Sequence, residues 1–153
     1  MEKTLILLKP CTVQRGLIGE VIHRFERKGL RIKGLKMMQL DEAILNEHYA
    51  HLADRPFFQW VKNAMMATPV VAMCVEGTDA VEVVRSITGA TNGRKAAQGT
   101  IRGDYAMSGQ ENIVHASDSP ENAVIELRRF FKEEEIFDYP YPMRDFFYSP
   151  DGI

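Results

Sequence analysis

Two apolar periods alternate along this 153-residue chain. Thr4 to Lys9 reads TLILLK, a compact apolar run that suits a buried strand, and Pro10 ends it. The period then lengthens. Leu17, Ile18, Val21, Ile22 and Phe25 fall on one helical face, and Gly29 stands where a helix C-terminal glycine belongs. Leu30 to Leu40 returns to alternation and predicts a second strand. Asp41 is placed to cap a helix from Ala43 through Leu52, Arg55-Pro56 interrupts it, and Phe57 to Met66 reads as another helix. After Pro69, Val70–Val75 is a strand closed by Gly77. Asp79 with Glu82 has the spacing of a capping box, for a helix ending at Gly89. Residues 90–104 show little periodicity, and a loop that long inside a compact domain is usually functional. A short extended piece at Asn112–His115 precedes Ser119-Pro120, which supplies the N-cap and first position of a helix through Phe131.

Strands separated by helices, in so short a chain, predict a small α/β sandwich with helices covering one sheet. Periodicity alone does not say whether the sheet is antiparallel. With no repeat, linker or low-complexity tract, 1–153 is read as a single domain, with 138–153 as a C-terminal extension.

Composition narrows the partners. A chain 45% hydrophobic and 26% charged, with formal net charge −2, has no global attraction to nucleic acid or acidic membranes. The charge is uneven, however: Gln14–Lys36 holds seven Lys or Arg against two Glu, and Glu111 onward holds ten acids against four bases. Two solvated helix faces of opposite bias account for this, with a basic nucleic-acid strip as the alternative. Cys11 and Cys74 lie far apart in no CxxC frame, which argues against a disulfide scaffold or thiolate zinc site. No apolar stretch approaches the roughly 20 residues that span a bilayer, and Leu5–Leu8 is too short for a signal-peptide core. A cytoplasmic location is expected.

Neither a P-loop, a GxGxxG turn nor an HExxH frame is present. His48 and His51 stand i, i+3 and could share a metal, but no carboxylate or cysteine cluster joins them. His23 lies off the apolar face of its helix and reads as solvated. His115 differs. It sits in NIVHASDS just before a helix start, near a positive helix end and free backbone amides suited to anions. Glu126, eleven residues on, is one to two turns into that helix and can reach back to the imidazole. A carboxylate on one ring nitrogen fixes the tautomer and leaves the other lone pair free to attack phosphorus. Taken alone, a hydrogen-bonded structural histidine explains this segment slightly better.

NIVHASDS resembles the active-site signature of nucleoside diphosphate kinases, and the likeness extends over roughly residues 3 to 137. LLKPCTVQRGLIGEVIHRFERKGLRI, HYAHLADRPFF, TPVVAMCVEG, GATN and GTIRGDY each resemble family segments, in order and in register. The resemblance implies a ferredoxin-like fold, a four-stranded antiparallel sheet covered by helices. It also implies ping-pong transfer of a terminal phosphate between nucleotides such as ATP and GDP through a phosphohistidine. Mg²⁺ would be bound through the nucleotide phosphates rather than by the protein. By the matching motifs His115 is the nucleophile, oriented by Glu126 and Ser117, with Tyr49 beside it. Lys9 corresponds to the lysine at the sugar 3′-hydroxyl and transferred phosphate, and Asn112 to the residue on the 3′-hydroxyl. Arg85, Thr91 and Arg102 correspond to the phosphate-binding trio, and Phe57 to the aromatic on which the base stacks.

Four departures from the family pattern stand out: Cys11-Thr12, Ala116 after the histidine, Gly93-Arg94, and Gln98 before Gly99. None removes a catalytic side chain. The family also implies a homo-oligomer. The tail, with Tyr139, Tyr141, Phe146, Phe147 and Tyr148, favours a hexamer over a tetramer, the tail lying at a subunit boundary or packing on its own subunit. A catalytically silent ferredoxin-like module that binds nucleotides or nucleic acid is the competing reading.

Overall fold

The apolar run at the N-terminus becomes the spine of the molecule. In the computed structural model, which describes residues 1–151, β1 (Glu2–Leu8) lies inside a four-stranded sheet ordered β2-β3-β1-β4. Its neighbours β3 (Val70–Gly77) and β4 (Val114–Ala116) both run antiparallel to it, and β2 (Arg31–Met38) runs antiparallel to β3. The sheet is therefore wholly antiparallel, settling what periodicity left open, and the fold is ferredoxin-like.

Alternation along β1 divides two cores. Ile6 and Leu8 pack with Val71, Met73, Val21, Phe25 and Val84, under α2 (Ile18–Arg27) and α5 (Ala80–Thr88). Leu5 and Leu7 pack with Ala72, Leu45, Met65, Leu127 and Phe130 on the other face. That face is covered by α3 (Glu42–His48), α4 (Phe58–Met66) and α7 (Pro120–Phe130). Burial on both faces explains why β1 shows no polar alternation.

Several local expectations change. Pro10 ends β1 as expected, but it also opens a one-turn helix, α1 (Pro10–Gln14), as its first residue. The helix after Asp41 stops at His48, and Ala50–Leu52 form a separate 3₁₀ turn. Asp79 makes no capping box: its backbone is left-handed at φ 52°, and its side chain caps nothing. Glu2 Oε1 accepts the Val81 N–H instead, at 2.7 Å. The loop of residues 90–104 carries a 3₁₀ turn at Gly93–Lys95 and runs into α6 (Ile101–Tyr105), whose Gly103 N–H donates to Thr100 Oγ1. Gly93 meets a close neighbour, since a Cβ there would come within 2.2 Å of the Ala106 carbonyl oxygen.

The tail packs on the subunit that bears it. After a 3₁₀ turn at Glu133–Glu135, the Phe137 N–H donates to the Lys33 carbonyl, at the bulge in edge strand β2. Arg31 lies between the rings of Tyr139 and Tyr141, at 4.6 and 4.7 Å from their centroids. A last short helix, α8 (Arg144–Phe147), sets Phe147 against Gly29. Among the described residues no helix is long and apolar enough to cross a membrane.

Candidate active site

His115 lies in β4 directly across from Leu7. Cross-strand partners share a face of the sheet, so the imidazole emerges on the side covered by α3 and α7. Its Nε2 is 2.6 Å from Glu126 Oε2, and Glu126 is the seventh residue of α7, within the reach expected for it. Ser119 starts that helix, its Oγ accepting the Asn122 N–H at 3.1 Å. Burial alone would raise the Glu126 pKa. The hydrogen bond from His115, then the neighbouring Ser117 hydroxyl, outweigh it and hold the carboxyl below its usual range. Ser117 Oγ is fully enclosed and, among the described residues, forms no hydrogen bond of ordinary geometry, so it favours the Glu126 charge by proximity. With an ionised carboxylate accepting from Nε2–H, the other ring nitrogen, Nδ1, keeps its lone pair.

The backbone just before the histidine is bent by force of contacts. Ile113 has φ 75°, rare for a β-branched residue, and the Val114 N–H donates to the Asn112 carbonyl at 2.9 Å. Together these make a γ-turn of the strained, positive-φ kind. The Ile113 carbonyl accepts from the Lys9 N–H at 2.9 Å and from Thr12 Oγ1 at 2.5 Å, so α1 pins the turn.

A cleft of about 720 Å³ opens over His115. Lys9, Tyr49, Phe57, Arg85, Thr91, Arg102, Asn112 and Glu126 all line it, and Ser117 lies buried beneath it. Nine of the ten residues singled out from sequence thus meet in one place. Lys9 Nζ donates to Asn112 Oδ1 at 2.7 Å and to the Gln110 carbonyl at 3.1 Å. Asn112 Nδ2 donates in turn to the Thr91 carbonyl. Burial first, then the nearby Arg102 charge, lower the Lys9 pKa to about 8. Arg102 donates to three carbonyls, those of Gly89, Asn112 and Val114, at 2.7–3.1 Å. Burial, then Arg85, bring its pKa down to about 10. Arg85 is exposed on α5 and has no side-chain hydrogen bond or ion pair among the described residues. Phe57 is 45% exposed at the mouth of the cleft. Tyr49 sits edge-on to His48, its hydroxyl pKa raised to about 12 by burial and by Glu126.

Two participants were not foreseen. His48 lies edge-on to His115, with ring centroids 4.7 Å apart, and Arg129 Nη1 donates to His48 Nδ1 at 2.9 Å. Sequence had paired His48 with His51, but α3 ends between them and His51 is exposed on the 3₁₀ turn. The spacing of Arg129 three residues after Glu126 was the available signal. His48, His115 and Glu126 offer ligand atoms within 4.8 Å of one another. Those atoms are already engaged, by the Arg129 guanidinium on His48 and by the 2.6 Å contact of His115 with Glu126. The set does not suit a resident metal ion.

Fold and site together define a ferredoxin-like α+β protein with a carboxylate-held histidine in a cleft that Lys9, Arg85, Arg102 and Arg129 line. A profile of the nucleoside diphosphate kinase family matches residues 2–136. A nucleoside diphosphate kinase of Parabacteroides distasonis is 68% identical over 139 residues, 91% of each chain. One from Pyrococcus abyssi is 48% identical over 150 residues, 96% of this chain and 94% of its own. The structure of a Halobacterium salinarum nucleoside diphosphate kinase in complex with CDP superposes with TM-score 0.93 at 41% identity, covering 97% of this chain and 99% of that one. The chain belongs to the nucleoside diphosphate kinase family.

Proposed function

We propose that the protein moves the terminal phosphate of a nucleoside triphosphate to a nucleoside diphosphate in two half-reactions, with His115 holding the phosphate between them. The observation that carries this is the 2.6 Å contact of His115 Nε2 with Glu126, which leaves Nδ1 as the nucleophile. Nδ1 attacks the γ-phosphorus, the bond to the β–γ bridging oxygen breaks, and the diphosphate leaves. Glu126 stabilises the positive ring. In the second half, a terminal oxygen of the acceptor's β-phosphate attacks phosphorus, and Nδ1 departs with its lone pair restored.

The residues around the histidine supply what such transfer asks of a protein, namely position and positive charge. Arg85, Arg102 and Lys9 face the phosphate oxygens, with Thr91 donating a hydroxyl. Lys9 and Asn112, already bonded to each other, hold the sugar 3′-hydroxyl, and Tyr49 closes the histidine's flank. A base stacked on Phe57 without edge readout enters whatever its identity. Magnesium, arriving on the nucleotide phosphates, would neutralise their charge. The cationic lining and the engaged carboxylate of Glu126 fit an ion carried in that way. The Halobacterium relative in complex with CDP supports nucleotide binding by this chain. We further place the protein in the cytoplasm as a homohexamer, with no membrane or specific nucleic-acid partner.

A catalytically silent binding module has no use for a histidine with one nitrogen fixed and the other free. Incubation with ATP and Mg²⁺ followed by intact-mass measurement tests the choice. A gain of one phosphate, labile in acid and stable in base, is expected. No gain would favour the silent module.

A further inference from the structure

Arg129 stands three residues after Glu126 on α7, the spacing at which a carboxylate and a guanidinium on a helix meet. They do not meet here. Arg129 Nε pairs with Glu47 Oε1 at 3.2 Å, its Nη1 donates to His48 Nδ1, and among the described residues no salt bridge joins it to Glu126. A guanidinium only donates, so His48 Nδ1 is the accepting nitrogen and the ring is neutral, with its proton on Nε2. Burial, with the Arg129 charge beside it, keeps that ring neutral at physiological pH. The 3.5 Å approach of His48 Nδ1 to Glu126 Oε2 is accordingly not an ion pair. The ring is wedged edge-on among His115, Tyr49 and Phe130, which fixes its orientation.

We infer that His48 is a positioning residue: by accepting the Arg129 N–H it keeps this guanidinium from closing onto Glu126, so that the carboxylate remains committed to His115. The role rests on the phosphohistidine reading above. Without the acceptor, Arg129 has a buried carboxylate within the reach of its own helix turn and no competing partner except Glu47. Glu126 would then divide its charge between Arg129 and His115, and the tautomer that exposes Nδ1 would lose its support. Arg129 lines the cleft too, but Lys9, Arg85 and Arg102, the cations assigned to the phosphates, are untouched by such a change, so the defect belongs in the phosphorylation step rather than in nucleotide affinity.

Two substitutions separate the acceptor from the ring. His48→Phe keeps an edge-on ring but offers Arg129 nothing, and His48→Asn offers an acceptor oxygen without the ring. Single-turnover phosphorylation by ATP, quenched and read by intact mass, is expected to slow about 10- to 100-fold in His48→Phe, the usual scale for a lost orienting partner. His48→Asn should run faster than His48→Phe. ADP affinity should stay within about twofold in both, the tolerance for independent sites. The same Phe substitution made on an Arg129→Leu background should cost less than about threefold, because no guanidinium remains to be diverted. Should His48→Phe fail to fold by circular dichroism, His48→Ala in the two backgrounds reads the same coupling. A fast His48→Phe with a slow His48→Asn, or equal losses with and without Arg129, would overturn the role and leave only packing. Those outcomes presuppose a wild type that labels. A wild type that takes no phosphate sinks the nucleophile assignment itself, and this role with it.

Discussion

Leu7 and His115 are direct partners across β1 and β4, and Leu7 is fully buried in the core beneath α7. The His115 imidazole therefore springs from a strand paired to the sheet interior, while its carboxylate partner comes from a helix packed on the same face. Glu126 and His115 are held to each other by two independent elements.

His115→Ala is expected to abolish both transfer from ATP to GDP and phosphate labelling, because His48 Nδ1 is engaged by Arg129 and neither His23 nor His51 has a carboxylate partner among the described residues. Glu126→Gln keeps a hydrogen bond and loses the charge, so it should cost about 10- to 100-fold in turnover. Retained labelling in the alanine variant would refute the assignment of the nucleophile. A glutamine variant as dead as the alanine one would give Glu126 a direct chemical part.

The two arginines should separate in their effect on stability. Arg102 ties three backbone carbonyls together, so Arg102→Ala should lose both turnover and about 2 kcal/mol or more of stability. Arg85 is exposed and, among the described residues, unpaired, so Arg85→Ala should weaken nucleotide binding and slow the phosphoryl step with the melting temperature unchanged. Thermal melts beside steady-state kinetics decide this. Equal melting temperatures for the two variants would contradict the clasp.

Nucleotide binding should take up a proton near pH 8. The Lys9 ammonium titrates at about 8 in the free protein because burial and Arg102 disfavour its charge. Phosphate oxygens favour that charge, so bound nucleotide raises the pKa, and affinity falls as pH rises through 8. ADP calorimetry at pH 8.5 in buffers of different ionisation enthalpy measures the uptake. Proton release would reverse the sign of the argument.

Phe57→Ala should raise KM for all nucleotides by similar factors, each losing about 1–3 kcal/mol of stacking. A loss confined to purines or to pyrimidines would mean that base edges are read.

A chain ending at Asp138 loses the rings that enclose Arg31 and the Tyr141 hydroxyl that donates to the Gly29 carbonyl. Its melting temperature should fall, and by sedimentation the proposed homohexamer should break down. A full-length mass of four subunits would refute the hexamer. An intact assembly after truncation would confine the tail's role to its own subunit.

The fold was legible where the signal is local. TLILLK, the face from Leu17 to Phe25 and Ser119-Pro120 each fix an element through neighbouring residues, and all three elements form. What was not legible depends on distant partners. Glu2 caps α5 from 79 residues away, where Asp79 and Glu82 had supplied a plausible local substitute. The pairing of His48 with His51 assumed an unbroken helix, whereas the chain turns at Tyr49 and sends the two rings to different surroundings. The candidate site residues came from the family likeness, and nine of the ten line one cleft. The carbonyls around Arg102 and the neutral ring facing Arg129 leave no trace in residue type.

The positive φ of Ile113 has a consequence of parity. In a regular strand Asn112 and His115, three apart, would project to opposite sides of the sheet, because side chains alternate with period two. Here both line the cleft, while adjacent Ile113 and Val114 both enter the core beneath α2 and α5. One reversed dihedral thus shifts the alternation by a step, as an inserted residue would, without lengthening the chain. Any change that let this segment relax into an even strand would swing either Asn112 or His115 out of the cleft, leaving every side chain in the sequence but dividing the pair between two faces.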